Sequence, residues 1–199
     1  MRLYHGSNKR GIEVLEPQQA DHDRPYIYLT TMEVVAAFYL CNAVQRPYYW
    51  FPYGFTEEGI PVYHELYPNA LREVSEGVTG ALYEVEAGES QVIPFPNIPC
   101  ARLGTRPLRV TGYRTVENAW ELFLEFIRLG RLCVGRYEDK SEKELQNWYG
   151  MIRQILKEKD MKGNPECSYA RFVKERFPWI WEEYIFETLG EKHYEDSCD

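Results

Sequence analysis

Residues 3–11 read LYHGSNKRG and residues 26–40 read YIYLTTMEVVAAFYL, and these two stretches decide how the chain is read, because both set polar chemistry inside strand-like apolar text. Residues 2–4 read as a short strand that delivers His5 and breaks at Gly6 and Ser7, where a missing Cβ lets a ligand approach the backbone. Residues 26–31 are rich in β-branched and aromatic side chains and read as a strand of about six residues. Thr30 or Thr31 is placed to cap a helix, and the MEVVAAFYLCNAV that follows carries apolar residues at three- and four-residue spacing. Tyr39 then falls about two to three turns into that helix.

The chain has 199 residues, enough for one domain with a sizeable core, or one domain with an appendage. An aromatic share of 15% argues against disorder. The formal charge of −8 and isoelectric point near 5.2 disfavour nucleic acid as a partner, since phosphate binding draws on basic patches. Cys41, Cys100, Cys133, Cys167 and Cys198 are scattered, odd in number and without CxxC spacing, which suits reduced thiols in the cytoplasm. The N-terminus enters a strand almost at once and no apolar stretch approaches about 18 residues, so neither a signal peptide nor a membrane-spanning helix is expected.

Between residues 46 and 80 aromatics, prolines and glycines crowd together, and the aromatic run from Tyr48 to Tyr53 either lines a cleft or packs the core. His64, just before helical text at 69–76, has no acid or cysteine at a catalytic spacing. Strands are expected at 80–86, with Leu82 and Val85 inward and Glu84 and Glu86 towards water or a cleft, and at 106–113. From Thr115 the text turns helical. Thr115 or Asn118 is positioned to cap, Trp120, Leu122, Phe123, Phe126, Ile127 and Leu129 form an apolar face, and Gly130 marks the end. A second amphipathic run uses Trp148, Met151, Ile152, Ile155 and Leu156. A third is interrupted at Pro178 and leads into an acidic tail. Cys41 or Ser7 as a hydrolytic nucleophile lacks a GxSxG elbow or a His-acid partner, and metal chemistry lacks an HExxH or paired ligands.

The opening motifs resemble those of the NAD-dependent ADP-ribosyltransferases of the His-Tyr-acid group. Their first motif is a strand ending in His-Gly-Ser or His-Gly-Thr, matched by His5, Gly6 and Ser7, and their second is a strand tyrosine, matched by Tyr28. The poly(ADP-ribose) polymerase branch has a further tyrosine eleven residues on, matched by Tyr39, and a helix serine where this chain has Ala36. The rifampin-modifying branch has a second strand similar to YIYLT and later strands similar to ALYEVEAG and RPLRVTG. The resemblance covers roughly residues 2–113. It implies an α+β fold with a split β-sheet core over residues 1–114, in which strands near 2–5, 26–30, 80–86 and 106–113 meet, and a helical C-terminal extension over 115–199 packed on that core.

The resemblance also implies roles. Tyr28 and Tyr39 would flank the nicotinamide ring of NAD, each contact contributing about 0.5–1.5 kcal/mol beyond area burial. The Gly6 backbone would take the carboxamide, Ser7 would add a hydroxyl, and His5 would hold a ribose hydroxyl on either the adenosine or the nicotinamide side. An acid from a third motif would stabilise the oxocarbenium-like ribose. Aligned strands put that acid near residues 94–97, where no carboxylate stands. Glu89 is the nearest acid, and Glu183, in EEYIF, resembles the surroundings of the polymerase-branch glutamate on text that reads as helix. The expected activity is transfer of ADP-ribose from NAD to a protein or small-molecule acceptor with release of nicotinamide, without a metal. The alternative is a member of the same fold that keeps the cleft for nucleotide binding or a protein partner and does not catalyse.

Overall fold

The computed structural model describes residues 1–19, 24–41, 53–95 and 98–195. The aromatic run from Tyr48 up to Phe51, and Cys198, therefore lie outside the described residues, while Tyr53 is described. The chain is mixed α+β and groups into two compact units.

The first unit holds a seven-stranded antiparallel sheet. Its strands are β1 (Arg2–Ser7), β2 (Val14–Leu15), β3 (Ile27–Thr30), β6 (Gly80–Glu86), β7 (Val92–Pro94), β8 (Ala101–Gly104) and β9 (Leu108–Val116), in the order β2-β9-β6-β1-β3-β8-β7. The four strands expected from the sequence are consecutive neighbours, β9-β6-β1-β3, with β9 starting and ending a few residues later than residues 106–113. A hairpin, β4 (Tyr53–Phe55) and β5 (Pro61–His64), pairs Gly54 with Val62.

One apolar cluster explains the shape of this sheet. Leu15 of β2, Leu108 of β9, Val85 of β6, Leu3 of β1, Ile27 and Leu29 of β3 and Val92 of β7 all belong to it, each at most 8% exposed. In a flat seven-stranded sheet β2 and β7 would stand about 29 Å apart, six spacings of ~4.8 Å. Both edges reach one core only if the sheet bends back on itself. Its thinnest seam lies beside β1, which pairs with β6 over six residues but with β3 only at Tyr4↔Thr30.

Helix α1 (Glu33–Phe38) is shorter than the sequence suggested. Its N-cap is Met32 without a side-chain cap, and Thr30, fully buried at the strand end, accepts a hydrogen bond from Met32 N–H instead. Tyr39 is the C-cap, not a residue two to three turns in, because the amides of Tyr39, Leu40 and Cys41 bond three residues back and tighten the chain out of the α-helix. Val34, Val35, Ala36, Ala37 and Phe38 are all buried. Phe38 stacks on Phe123 at 4.8 Å between centroids, and Phe123 is the fully buried centre of α3 (Ala119–Arg128).

Asn118, not Thr115, caps α3. Its side chain accepts from the amides of Trp120 and Gly77. Thr115 is the last-but-one residue of β9, so the change from strand to helix comes after residue 116, and α3 groups with the sheet and not with the later helices. Gly130, at φ +67°, ends the helix as expected.

The second unit is formed by His64–Ala70, which leads into α2 (Ala70–Ser75), and by the chain from Gly135 onwards, with α4 (Glu142–Glu158), α5 (Ser168–Arg176) and α6 (Pro178–Glu195). Ser141 and Glu144 form a reciprocal capping box that starts α4. Its buried face is Tyr149, Ile152 and Leu156, one position rotated from the expected one, which leaves Trp148, Met151 and Ile155 half-buried. Pro178 interrupts the helical text by starting α6, where a missing N–H costs nothing. Aromatic side chains hold the unit together: Phe177 lies edge-on to Tyr67, Phe172 and Trp179, at 6.4, 5.9 and 5.6 Å.

Candidate functional site

Backbone polarity is settled by two bonds. Thr31 N–H donates to Cys100 O at 2.9 Å, so odd residues of β3 bond towards β8, and Tyr28 and Thr30 turn their backbone groups towards β1. Ala87 N–H donates to Met1 O at 3.0 Å, which in the same way directs odd residues of β1 to β6, and Tyr4 and Gly6 to β3. Beyond Tyr4↔Thr30 the register is not continued. Tyr28 O accepts instead from the ring of His5, whose Nδ1 lies 2.8 Å away. A carbonyl only accepts, so Nδ1 carries the proton and Nε2 of the neutral ring is left with a lone pair. The site is therefore a histidine fixed in one tautomer at the seam where β1 and β3 part, beside the amide and carbonyl of Gly6.

Strand alternation sorts the faces. Leu3, His5 and Ser7 share the face of the apolar cluster. Tyr4, Gly6, Tyr28 and Thr30 share the other face, against which α1 lies. A Cβ built on Gly6 would collide with the carbonyl oxygen of Ala36 and stand 3.4 Å from Cβ of Tyr39. The absent side chain thus admits the helix, where the sequence suggested that it admits a ligand. Tyr28 and Tyr39 are both half-buried on this face, and Tyr39 stands directly against Gly6. Ala36, the position of the missing serine hydroxyl, is fully buried. Ser7 Oγ accepts from Lys9 N–H at 3.1 Å, which turns the chain out of β1.

Four of the residues singled out from sequence, His5, Gly6, Tyr28 and Tyr39, therefore meet around one seam. The two candidate acids do not join them as a group. Glu89 is exposed in a short 3₁₀ turn (Glu89–Gln91) after β6, which leaves the sheet opposite Arg2. Glu183 belongs to the second unit, on the helix α6, where its Oε2 accepts from Nε and Nη2 of Arg153 at 2.9 and 2.7 Å. Of the expected acid positions, Pro94 and Phe95 are described and 96–97 lie outside the described residues.

Sequence reasoning missed Tyr83. It is the register partner of His5 across β6, fully buried, and its hydroxyl donates to Lys9 O at 2.8 Å and accepts from Ile12 N–H at 3.2 Å. The phenol thereby fixes both ends of the turn that follows Ser7. Only strand register reveals this, because Tyr83 and Lys9 are 74 residues apart.

Burial lowers the His5 pKa below the ordinary imidazole value, opposed in part by the bond to Tyr28 O. The unfolded chain takes up this proton first, so the contribution to stability is complete above about pH 6.5 and is lost as pH falls through the lower folded value. His64 is shifted in the same direction, by burial and then by Lys140. Urea titrations between about pH 5 and 8 should show stability rising with pH in the acid part of that range, with a smaller slope in His5→Gln than in the wild type. Equal slopes would remove His5 as a buried neutral group.

Among the described residues no cluster of three or more His, Cys, Asp or Glu side chains is arranged to hold a metal ion, and no helix is long and apolar enough to cross a membrane. No family model, no curated protein and no solved structure matches the chain.

Proposed function

We propose that the chain binds NAD at the β1–β3 seam as an ADP-ribosyltransferase-like protein, transferring ADP-ribose to an acceptor and releasing nicotinamide. The observation that carries the reading is the bond from His5 Nδ1–H to Tyr28 O, made while Tyr39 stands against Gly6. Three motif positions separated by up to 34 residues of sequence thus converge on one glycine and one imidazole, an arrangement their spacing alone did not require. In this reading Nε2 of neutral His5 accepts from a ribose hydroxyl, and Gly6 offers one donor and one acceptor to a carboxamide. Tyr28 and Tyr39 supply the two rings that flank nicotinamide. The strained departure of nicotinamide leaves a cationic ribose that requires a fixed counter-charge.

Calorimetry with NAD tests the binding half. Tyr28→Ala is expected to weaken NAD by about tenfold, and Tyr28→Phe by less, since stacking depends on the ring. Absence of any heat with wild type at millimolar NAD would end the reading.

A second reading, binding without turnover, is favoured by the acids. Glu183 is committed to Arg153, and neither Pro94 nor Phe95 supplies a carboxylate. Release of nicotinamide from NAD by the purified chain separates the two without knowledge of the acceptor.

A further inference from the structure

The sheet carries a second feature on the cluster face. Rows of side chains run across β1, β6 and β9 there. The first row is Leu3, Val85 and Val110, part of the apolar core or packed against it. The next is His5, Tyr83 and Tyr113. Residues 110 and 113 would fall on opposite faces of a regular strand. They share one here because the register slips between Glu84 and Val85, leaving Thr111 as an extra residue on β9. Such a bulge re-aims a side chain. The one it re-aims is Tyr113, 68% exposed, while its neighbour Tyr83 is fully buried with its ring 6.3 Å away.

The row is ordered chemically as well as spatially. His5 presents a hydroxyl acceptor at one end. Over the middle, one strand spacing away, the Tyr83 phenol holds the carbonyl of Lys9. Lys9 is exposed, and among the described residues its ammonium has no bonded partner, whereas the neighbouring Arg10 is committed to Glu117 and to the carbonyl of Val116. At the far end, about 10 Å from His5 by two strand spacings, stands an aromatic plate turned to solvent. A sugar acceptor, a lysine whose backbone lies over the middle of the row and an aromatic plate follow the order of the nicotinamide ribose, the pyrophosphate and, past a second ribose, the purine of a dinucleotide.

We infer that the row beyond His5 is the site of the adenosine half of a dinucleotide, with the pyrophosphate at Lys9 and the adenine against Tyr113. The inference rests on the NAD reading of the seam and adds to it the direction in which the ligand runs: from Tyr28 and Tyr39 on the α1 face, through the parting of β1 and β3 at His5 to the cluster face, and then over the Lys9 turn that covers Tyr83 to Tyr113 on β9. Tyr83 is a positioning residue in this arrangement, since it holds the Lys9 turn and is itself covered.

Three ligands and four variants of the full chain separate this inference from its premise. NAD and ADP-ribose carry the adenosine half, and nicotinamide riboside does not. Tyr113→Ala should weaken NAD and ADP-ribose by about tenfold, the usual scale of a base on an aromatic ring, and leave nicotinamide riboside unchanged, while Tyr113→Phe keeps wild-type affinity for all three. Lys9→Met should weaken NAD and ADP-ribose, flatten the dependence of their affinity on salt, and also spare the riboside. Tyr28→Ala should lose the riboside and NAD. A merely structural part for Tyr113 would move all three ligands together, and that result overturns the inference. Wild-type affinity for NAD in Tyr113→Ala, with loss in Tyr28→Ala, overturns it too and leaves the seam reading standing. Wild type binding none of the three removes both.

Discussion

Gly6→Ala is expected to cost about 3 kcal/mol of stability, among the larger effects a single methyl can have, because the new Cβ meets backbone and not a side chain that can turn away. Ala36 O lies within contact of that position and Ala36 C at 2.9 Å, both in α1, a helix whose residues 34–38 are all buried. Relief requires the helix to lift from the sheet, and the stack of Phe38 on Phe123 would have to follow. The seam is affected as well, since Tyr39 ends the helix and moves with it. If the seam holds NAD as proposed, loss of NAD affinity should accompany the shift in denaturation midpoint. Gly150→Ala is the contrast. That glycine lies inside α4 with open space around its Cβ direction, so alanine should stabilise by about 1 kcal/mol through helix propensity alone. A midpoint for Gly6→Ala within 0.5 kcal/mol of wild type, as an order of magnitude for surface changes, would mean that α1 does not rest on Gly6.

The contrast between these glycines shows what the sequence could convey. Strands β1, β3, β6 and β9 were legible because each carries its own signal: β-branched and aromatic residues, a break at Gly6, alternation around Leu82 and Val85. Asn118, Gly130 and Pro178 punctuate helices by local chemistry and were legible for the same reason. The length of α1 was not. Nothing in VVAAFYLCNAV opposes a longer helix, and the helix gives way at Tyr39 to tighter turns three residues long. The faces of longer elements were legible only to within one residue, as Tyr149 in α4 shows. Register was not legible at all. The slip at Glu84 that turns Tyr113, and the pairing that sets Tyr83 beside His5, depend on partners dozens of residues away. At the site, the spacing that singled out Tyr28 and Tyr39 found residues that do converge. It gave Gly6 a different neighbour, however, because a glycine that admits a ligand and one that admits a helix look the same in sequence.

If the seam turns NAD over as proposed, the largest effect on activity is expected at the acid that answers the ribose cation. Departure of nicotinamide builds positive charge on the ribose, and loss of one preorganised electrostatic partner typically costs on the order of 10² to 10³ in rate. The two candidate acids stand in different surroundings. Glu183 already accepts two bonds from the Arg153 guanidinium on one oxygen, so it is neutralised where it stands and a second cation would have to compete. Glu89 sits on the turn that enters β7, exposed, and its carboxylate makes no ion pair among the described residues. Of the two it is the one with no prior commitment and lies in the same unit as His5 and Tyr28, but its turn follows the Glu86↔Arg2 pair, at the end of β1 away from Gly6. If the Glu89 turn reaches the seam in the NAD complex, Glu89→Gln should cut nicotinamide release by on the order of 10² to 10³ while leaving NAD affinity near wild type, because the charge it answers develops only after binding; if the turn stays at the Arg2 end of β1, release is unchanged. Glu183→Gln should leave release unchanged and affect only the α4–α6 pairing, worth about 0–1 kcal/mol for an exposed ion pair. Equal release by wild type and Glu89→Gln would strike Glu89 from the mechanism. Wild type that holds NAD and releases no nicotinamide would assign the seam to binding alone, as expected of a histidine and two tyrosines with no acid to answer the cation.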